Sequence, residues 1–205
     1  PAARVFNGRM YVVTSHDLDT QAGYDMIDYT MFSSDDMINW RDHGIVFDVN
    51  TDAPWASRAY APDMIYRNGR YYLYFPNGAS GIGVAVSDSP TGPYTDPLGR
   101  ALVSRSTPNA NVQWLFDPGV FIDDDGQAYL YFGGGAPGNA RVIRLNSDMI
   151  STSGSAITID VPNFFEALYM HKRNGVYYLS YSTTPETGMR IDYMTSNSPT
   201  SGFTY

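Results

Sequence analysis

The chain has 205 residues, 43% hydrophobic and 15% aromatic, with no cysteine and a net charge of −8. That length suits one domain with a sizeable core, and the missing cysteines exclude disulfides, thiolate chemistry and cysteine-ligated zinc or iron–sulfur centres. The acidity excludes a nucleic-acid partner and an anionic membrane surface, both of which require a basic face.

No apolar run approaches the roughly 20 residues that cross a bilayer, and nothing at the N-terminus resembles a signal peptide. The expectation is a soluble protein, bacterial secreted or cytoplasmic. Seventeen Tyr, nineteen Gly and thirteen Pro favour an all-β, turn-rich fold over a helical one.

In chain order, residues 10–14, 29–33 and 45–47 read as strands, with Asp28 and Tyr29 at a loop-to-strand junction. Residues 34–40 form a turn whose Trp40 is expected to pack between blades. The acidic stretch 15–23 reads as a solvated turn with weak capacity for a cation, and His16 as a hydrogen-bonded structural residue. Residues 70–75 and 82–87 are strands followed by a Pro/Gly turn at 88–94, and 196–205 repeats that turn. Residues 120–122 and 128–132 are strands joined at Asp125-Gly126, a strong hairpin signal because both positions tolerate positive φ. On this reading Asp123, Asp124 and Asp125 are turn residues rather than a metal cluster, and His171 is structural.

Strand–Gly–strand units recur around Gly8, Gly69, Gly126 and Gly175, at intervals of 61, 57 and 49 residues. Self-similarity at that period in a strand-rich chain predicts a β-propeller with blades of about four strands each. The blades are placed at about 1–50, 53–102, 103–151 and 157–205, in one domain spanning 1–205. Nine residues before Gly69, Gly126 and Gly175 stand Tyr60, Asp117 and Glu166. A shared offset predicts that the three side chains meet at one end of the central axis. Asp117 is flanked by Trp114, Phe116 and Pro118, and Glu166 by Phe164, Phe165, Leu168 and Tyr169, apolar settings that raise a carboxyl pKa. No Walker loop, dinucleotide fingerprint, nucleophile elbow or His-Glu-x-x-His helix is present, so the chemistry rests on carboxylates.

Asp117-Pro118 with its Asp-Asp-Asp-Gly turn, Glu166, Tyr60-Ala-Pro-Asp63 and Ser33-Ser-Asp-Asp-Met-Ile-Asn-Trp40 together resemble glycoside hydrolase family 43, over essentially the whole chain. The resemblance implies a five-bladed propeller, of which about four blades are present here. It implies an inverting glycosidase that removes arabinofuranosyl or xylosyl units from arabinoxylan or xylo-oligosaccharides. Glu166 matches the general acid and Asp117 the Asp that tunes its pKa. Tyr60 stands where the family often has a Trp in the sugar site, and Trp55, Asp28 and Tyr29 are further substrate-binding candidates. The family's base Asp opens the first blade in an Asp-Pro pair. The sequence begins at the Pro, Pro1, which puts the base just before it and leaves this exact chain expected to be inactive or nearly so. The partner implied is a plant cell-wall oligosaccharide or polysaccharide. No cofactor is required and no metal-binding residue is assigned, although a structural Ca2+ in the complete protein is compatible with the family. The alternative is a non-catalytic carbohydrate-binding propeller.

Overall fold

The computed structural model describes residues 1–19 and 23–205. Their strands form four antiparallel sheets, arranged as the blades of a β-propeller. The first holds β1 (Ala2–Phe6), β2 (Arg9–Asp17), β3 (Met26–Ser34) and β4 (Arg41–Asp48), followed by the single helical turn α1 (Val49–Asp52). The second holds β5 (Asp63–Arg67), β6 (Arg70–Pro76), β7 (Gly81–Ser87) and the two-residue β8 (Val103–Ser104). The third holds β9 (Gly119–Ile122), β10 (Ala128–Phe132), β11 (Arg141–Leu145) and β12 (Thr152–Thr158). The fourth has three strands, β13 (Phe164–Arg173), β14 (Val176–Thr183) and β15 (Ile191–Ser196).

Two blade boundaries differ from the sequence reading. Val103 pairs with Ile82 and closes the second blade, and Thr152–Thr158 pairs with β11 and closes the third. Both are outer strands after long loops, where the hairpin signal that organises the inner strands is absent.

Three inner hairpins turn on Asn-Gly. Asn7, Asn68 and Asn174 each have φ of 51°, with Gly8, Gly69 and Gly175 at 80–82°, the two positive angles of a two-residue turn matched to strand twist. The third blade departs from this. At Asp125-Gly126 only Gly126 is left-handed, and Asp123 N–H donates to the Gln127 carbonyl at 2.9 Å, so the loop is one residue longer. Asp123 also ties this turn to the fourth blade, accepting from Lys172 Nζ at 2.8 Å and from the Tyr177 hydroxyl at 2.5 Å.

Alternation along each middle strand feeds the cores between blades. On β6, Tyr71, Leu73 and Phe75 pack toward Met31 and Phe47 of the first blade, whereas Tyr72 and Tyr74 pack toward Leu130 and Met149 of the third. Tyr131 of β10 joins Phe164, Leu179 and Tyr181 between the third and fourth. Such two-faced burial explains why these strands read as near-continuous apolar runs.

Trp40 does not pack between blades. It is 46% exposed, alongside Met37 and Ile38, and its indole N–H donates to the Met37 carbonyl within its own turn. The stretch 15–23 is not one turn either: β2 runs to Asp17, because Ser15 and His16 pair with Tyr29 and Asp28, and residues 20–22 lie outside the described residues.

The first strands β1, β5, β9 and β13 are neighbours around the axis, β1 touching β5, β5 touching β9 and β9 touching β13. A buried ionic network joins them. Arg4 of β1 forms a two-pronged pair with Asp63 of β5, donates to the Val120 carbonyl of β9 at 2.9 Å and to the Tyr169 hydroxyl of β13 at 3.1 Å. Asp63 also accepts the Val120 and Met64 N–H groups, each at 2.8 Å. Removing one partner strands a buried charge, which costs about 3–5 kcal/mol. Asp63→Ala is therefore expected to lower stability by about that amount, measured by urea denaturation, and Arg4→Ala by a similar amount.

Candidate active site

At one end of the axis, the starts of the four inner strands enclose a cleft of about 370 Å³. Its walls are Pro1 to Ala3, Ala61 to Asp63, Asp117 to Gly119 and Ala167 to Tyr169, one short run from each blade. Asp117 lies in the wall, and Glu166 directly precedes it on β13.

Strand pairing shows why these carboxyls share a level. Tyr11, Tyr72, Tyr129 and Tyr178 occupy equivalent places on the second strands. Four residues beyond each stand Ser15, Pro76, Gly133 and Ser182. Glu166 pairs with Ser182. Continuing the β9–β10 ladder from Gly119 and Tyr131 puts Asp117 opposite Gly133, whose N–H donates to the Phe116 carbonyl at 3.1 Å. In the second blade the same level falls on Ala61 rather than Tyr60. In the first, Ala2 pairs with Val13, so Pro1 would face Thr14 and a preceding residue would face Ser15.

Local backbone aims both acids. Asp117 has φ of 50°, a conformation an Asp tolerates better than most residues. β13 carries a register shift on each side of Glu166, and Ala167 has φ of 60°. Bulges of this kind re-aim a side chain, and a left-handed Ala is strain concentrated beside the acid. Gly119 lets the third and fourth blades close up, since a Cβ there would lie 2.3 Å from the Leu168 carbonyl oxygen. Gly134 does the same for Phe116, whose ring would be 2.3 Å from a Cβ. Trp114 packs edge-on to Phe116 and Phe165, with ring centroids 5.5 and 5.4 Å away, forming an aromatic wall on either side of the acid-bearing segments.

Burial, then the charge of Glu166, push the Asp117 carboxyl up to about 7, opposed by a hydrogen bond from the Ala167 N–H. Burial also raises Glu166. Both carboxyls are therefore harder to ionise than a free one. A raised acid pKa means the folded chain holds more protons than the unfolded one between about pH 4 and 7, and stability falls as pH rises through that window. Asp117→Asn, which removes the titration, is expected to gain stability relative to the parent from pH 4.5 to 7.5, read as the difference in urea midpoints. A constant difference would remove Asp117 from the account.

The other sequence candidates are dispersed. Tyr60 is half-buried and one residue out of register, because the longer turn of the third blade and the bulges of β13 shift the count from the glycine; its neighbour Ala61 reaches the cleft wall. Tyr29 is fully buried, its hydroxyl donating to the Tyr60 carbonyl at 2.7 Å, where burial and the Asp117 charge hold its pKa well above the ordinary value. It supports the cleft from behind and offers no surface to a sugar. Asp28 is 3% exposed, with its carboxylate 3.2 Å from His16 Nδ1, which fits the structural reading of His16. Trp55 donates its indole N–H to Asp96 at 2.7 Å and packs on Phe75, so it is a packing residue of the second blade. His171 stacks on Tyr178 at 5.0 Å on the exposed face of the fourth blade.

Sequence reasoning missed Arg4, Asp63 and Tyr169. Asp63 closes Tyr60-Ala-Pro-Asp63, but its partner is 59 residues away, and no local pattern links the two. Among the described residues no group of three or more His, Asp or Glu is placed to hold a metal ion.

The chain matches known proteins over essentially its full length. The model for glycosyl hydrolases family 43 fits residues 1–203. The chain belongs to that family. It is 42% identical over 245 residues to an arabinoxylan arabinofuranohydrolase of Paenibacillus polymyxa, covering 100% of this chain and 39% of that protein. It is 34% identical to a xylosidase/arabinosidase of Bacteroides ovatus, covering 100% of this chain and 75% of that one. The solved structure of an alpha-L-arabinofuranosidase from Clostridium thermocellum superposes with a TM-score of 0.95 at 57% identity, covering 100% of this chain and 70% of that one. The chain thus spans well under half the length of the Paenibacillus relative. Among the described residues of this family 43 domain, no helix is long and apolar enough to cross a membrane.

Proposed function

We propose that this family 43 domain is the propeller of an inverting glycosidase that removes arabinofuranosyl or xylosyl units from arabinoxylan or xylo-oligosaccharides. The observation that carries the reading is the pair Asp117 and Glu166, on one level of adjacent blades beside one cleft, both with raised pKa. Glu166 acts as the general acid. Burial raises its pKa, which favours the protonated form that gives a proton to the leaving oxygen. Asp117 is the neighbouring carboxyl that tunes it, itself raised by burial and by the Glu166 charge.

The reading also needs a water-activating carboxylate, and the family resemblance puts that role next to Pro1. That position completes the level occupied by Asp117 and Glu166, facing Ser15 on the first blade. An inverting mechanism needs acid and base about 6.5–9.5 Å apart so that a water fits between base and sugar. The names of the relatives support both pentoses as substrates. Incubating the full-length protein with arabinoxylan and with xylobiose tests the reading by the sugar released. Arabinose or xylose monomers support it. Binding of either substrate without release supports a carbohydrate-binding propeller instead.

A further inference from the structure

Tyr24 is 72% exposed and has φ of 57°, a left-handed backbone that a bulky L-residue adopts only at a cost. Core packing does not require it. Its ring lies 6.4 Å from that of Tyr60, at an interplanar angle of 59°. Tyr60 is fixed from below by the Tyr29 hydroxyl on its carbonyl, and its ring lies over Gly78 beside the stem of Arg58. Asn77 holds that segment through the N–H groups of Ser57 and Arg58, at 2.9 and 3.2 Å. The Arg58 guanidinium stands 3.5 Å from Asp25. The residue after Tyr60 is Ala61, in the cleft wall. Two aromatic rings, with a guanidinium and a carboxylate beside them, therefore lie one residue along the chain from the cleft wall at Ala61.

We propose that Tyr24 and Tyr60 form a platform that stacks against a neutral pyranose ring of the leaving sugar chain, and that Tyr24 is a specificity-determining residue favouring oligosaccharides over simple aryl glycosides. The C–H face of a pyranose complements aromatic rings, and its hydroxyls complement Arg58 and Asp25. A chain with net charge −8 is a poor host for an anionic ligand, which favours a neutral sugar. The proposal rests on the glycosidase reading, because it places the ring on the leaving side of the scissile bond.

Tyr24→Gly in the full-length protein separates function from folding, since glycine adopts the left-handed backbone freely. Its melting temperature is expected to be no lower than the parent's. The ratio of kcat/KM on arabinoxylan to that on 4-nitrophenyl arabinofuranoside is expected to fall about tenfold, mainly through KM, and Tyr24→Trp to restore it. An unchanged ratio overturns the proposal. If the parent hydrolyses neither substrate, the glycosidase reading fails by itself, and titration with xylotetraose followed by calorimetry decides the platform: Kd about tenfold weaker in Tyr24→Gly supports it, and an unchanged Kd or no binding by the parent overturns it.

Discussion

Glu166→Gln in the full-length protein is expected to lower kcat on substrates with poor leaving groups by about 10²–10⁴-fold, the usual contribution of a general acid. Arabinoxylan and alkyl arabinosides are such substrates, because their departing oxygen must be protonated as the bond breaks. Dinitrophenyl glycosides, whose leaving group departs as an anion, are expected to be nearly spared. The fold should be untouched, because Gln keeps the size of Glu and Glu166 lies at an irregular step of β13. The pH–rate profile should lose its alkaline limb, which reports deprotonation of the acid. Equal loss on both substrate classes would make Glu166 a sugar-positioning residue.

The second large effect belongs to the position before Pro1. In a protein carrying Asp there, replacement by Asn is expected to lower turnover by about 10²–10⁴-fold on good and poor leaving groups alike, since both require an activated water. That pattern separates the base from Glu166, and steady-state kinetics on a dinitrophenyl and an alkyl arabinoside read it directly. Full activity of the Asn variant would show that water is activated elsewhere, and the argument from Ser15 and its ladder would fall with it.

Much of the fold was legible because each blade repeats one local device, an inner hairpin with Gly at a left-handed turn position. Gly8, Gly69, Gly126 and Gly175 announce the four inner hairpins, and Leu73, Leu130 and Leu179 keep the second strands in phase. The outer strands β8 and β12 were not legible, because long loops precede them and their pairing is settled by distant partners. Asp117 and Glu166 emerged from counting back from the glycines, although the count itself is off by one between blades. The extra residue in the Asp123–Gln127 turn and the bulges around Glu166 compensate, which brings these two together and leaves Tyr60 a residue away. Trp55, Asp28 and Tyr29 lie outside the cleft wall for a different reason. Composition marks an aromatic or an acid as a candidate without showing that Asp96, His16 or the Tyr60 carbonyl already engages it. The Arg4–Asp63 pair was invisible because it is made between blades.

The claim on which everything else depends is that a water, delivered from the face opposite Glu166, attacks the anomeric carbon in one displacement. Following hydrolysis of an aryl α-L-arabinofuranoside by proton NMR within the first minutes, before mutarotation, tests it. The account predicts β-L-arabinofuranose as the first product; α-L-arabinofuranose appearing first would signify a covalent intermediate and contradict it.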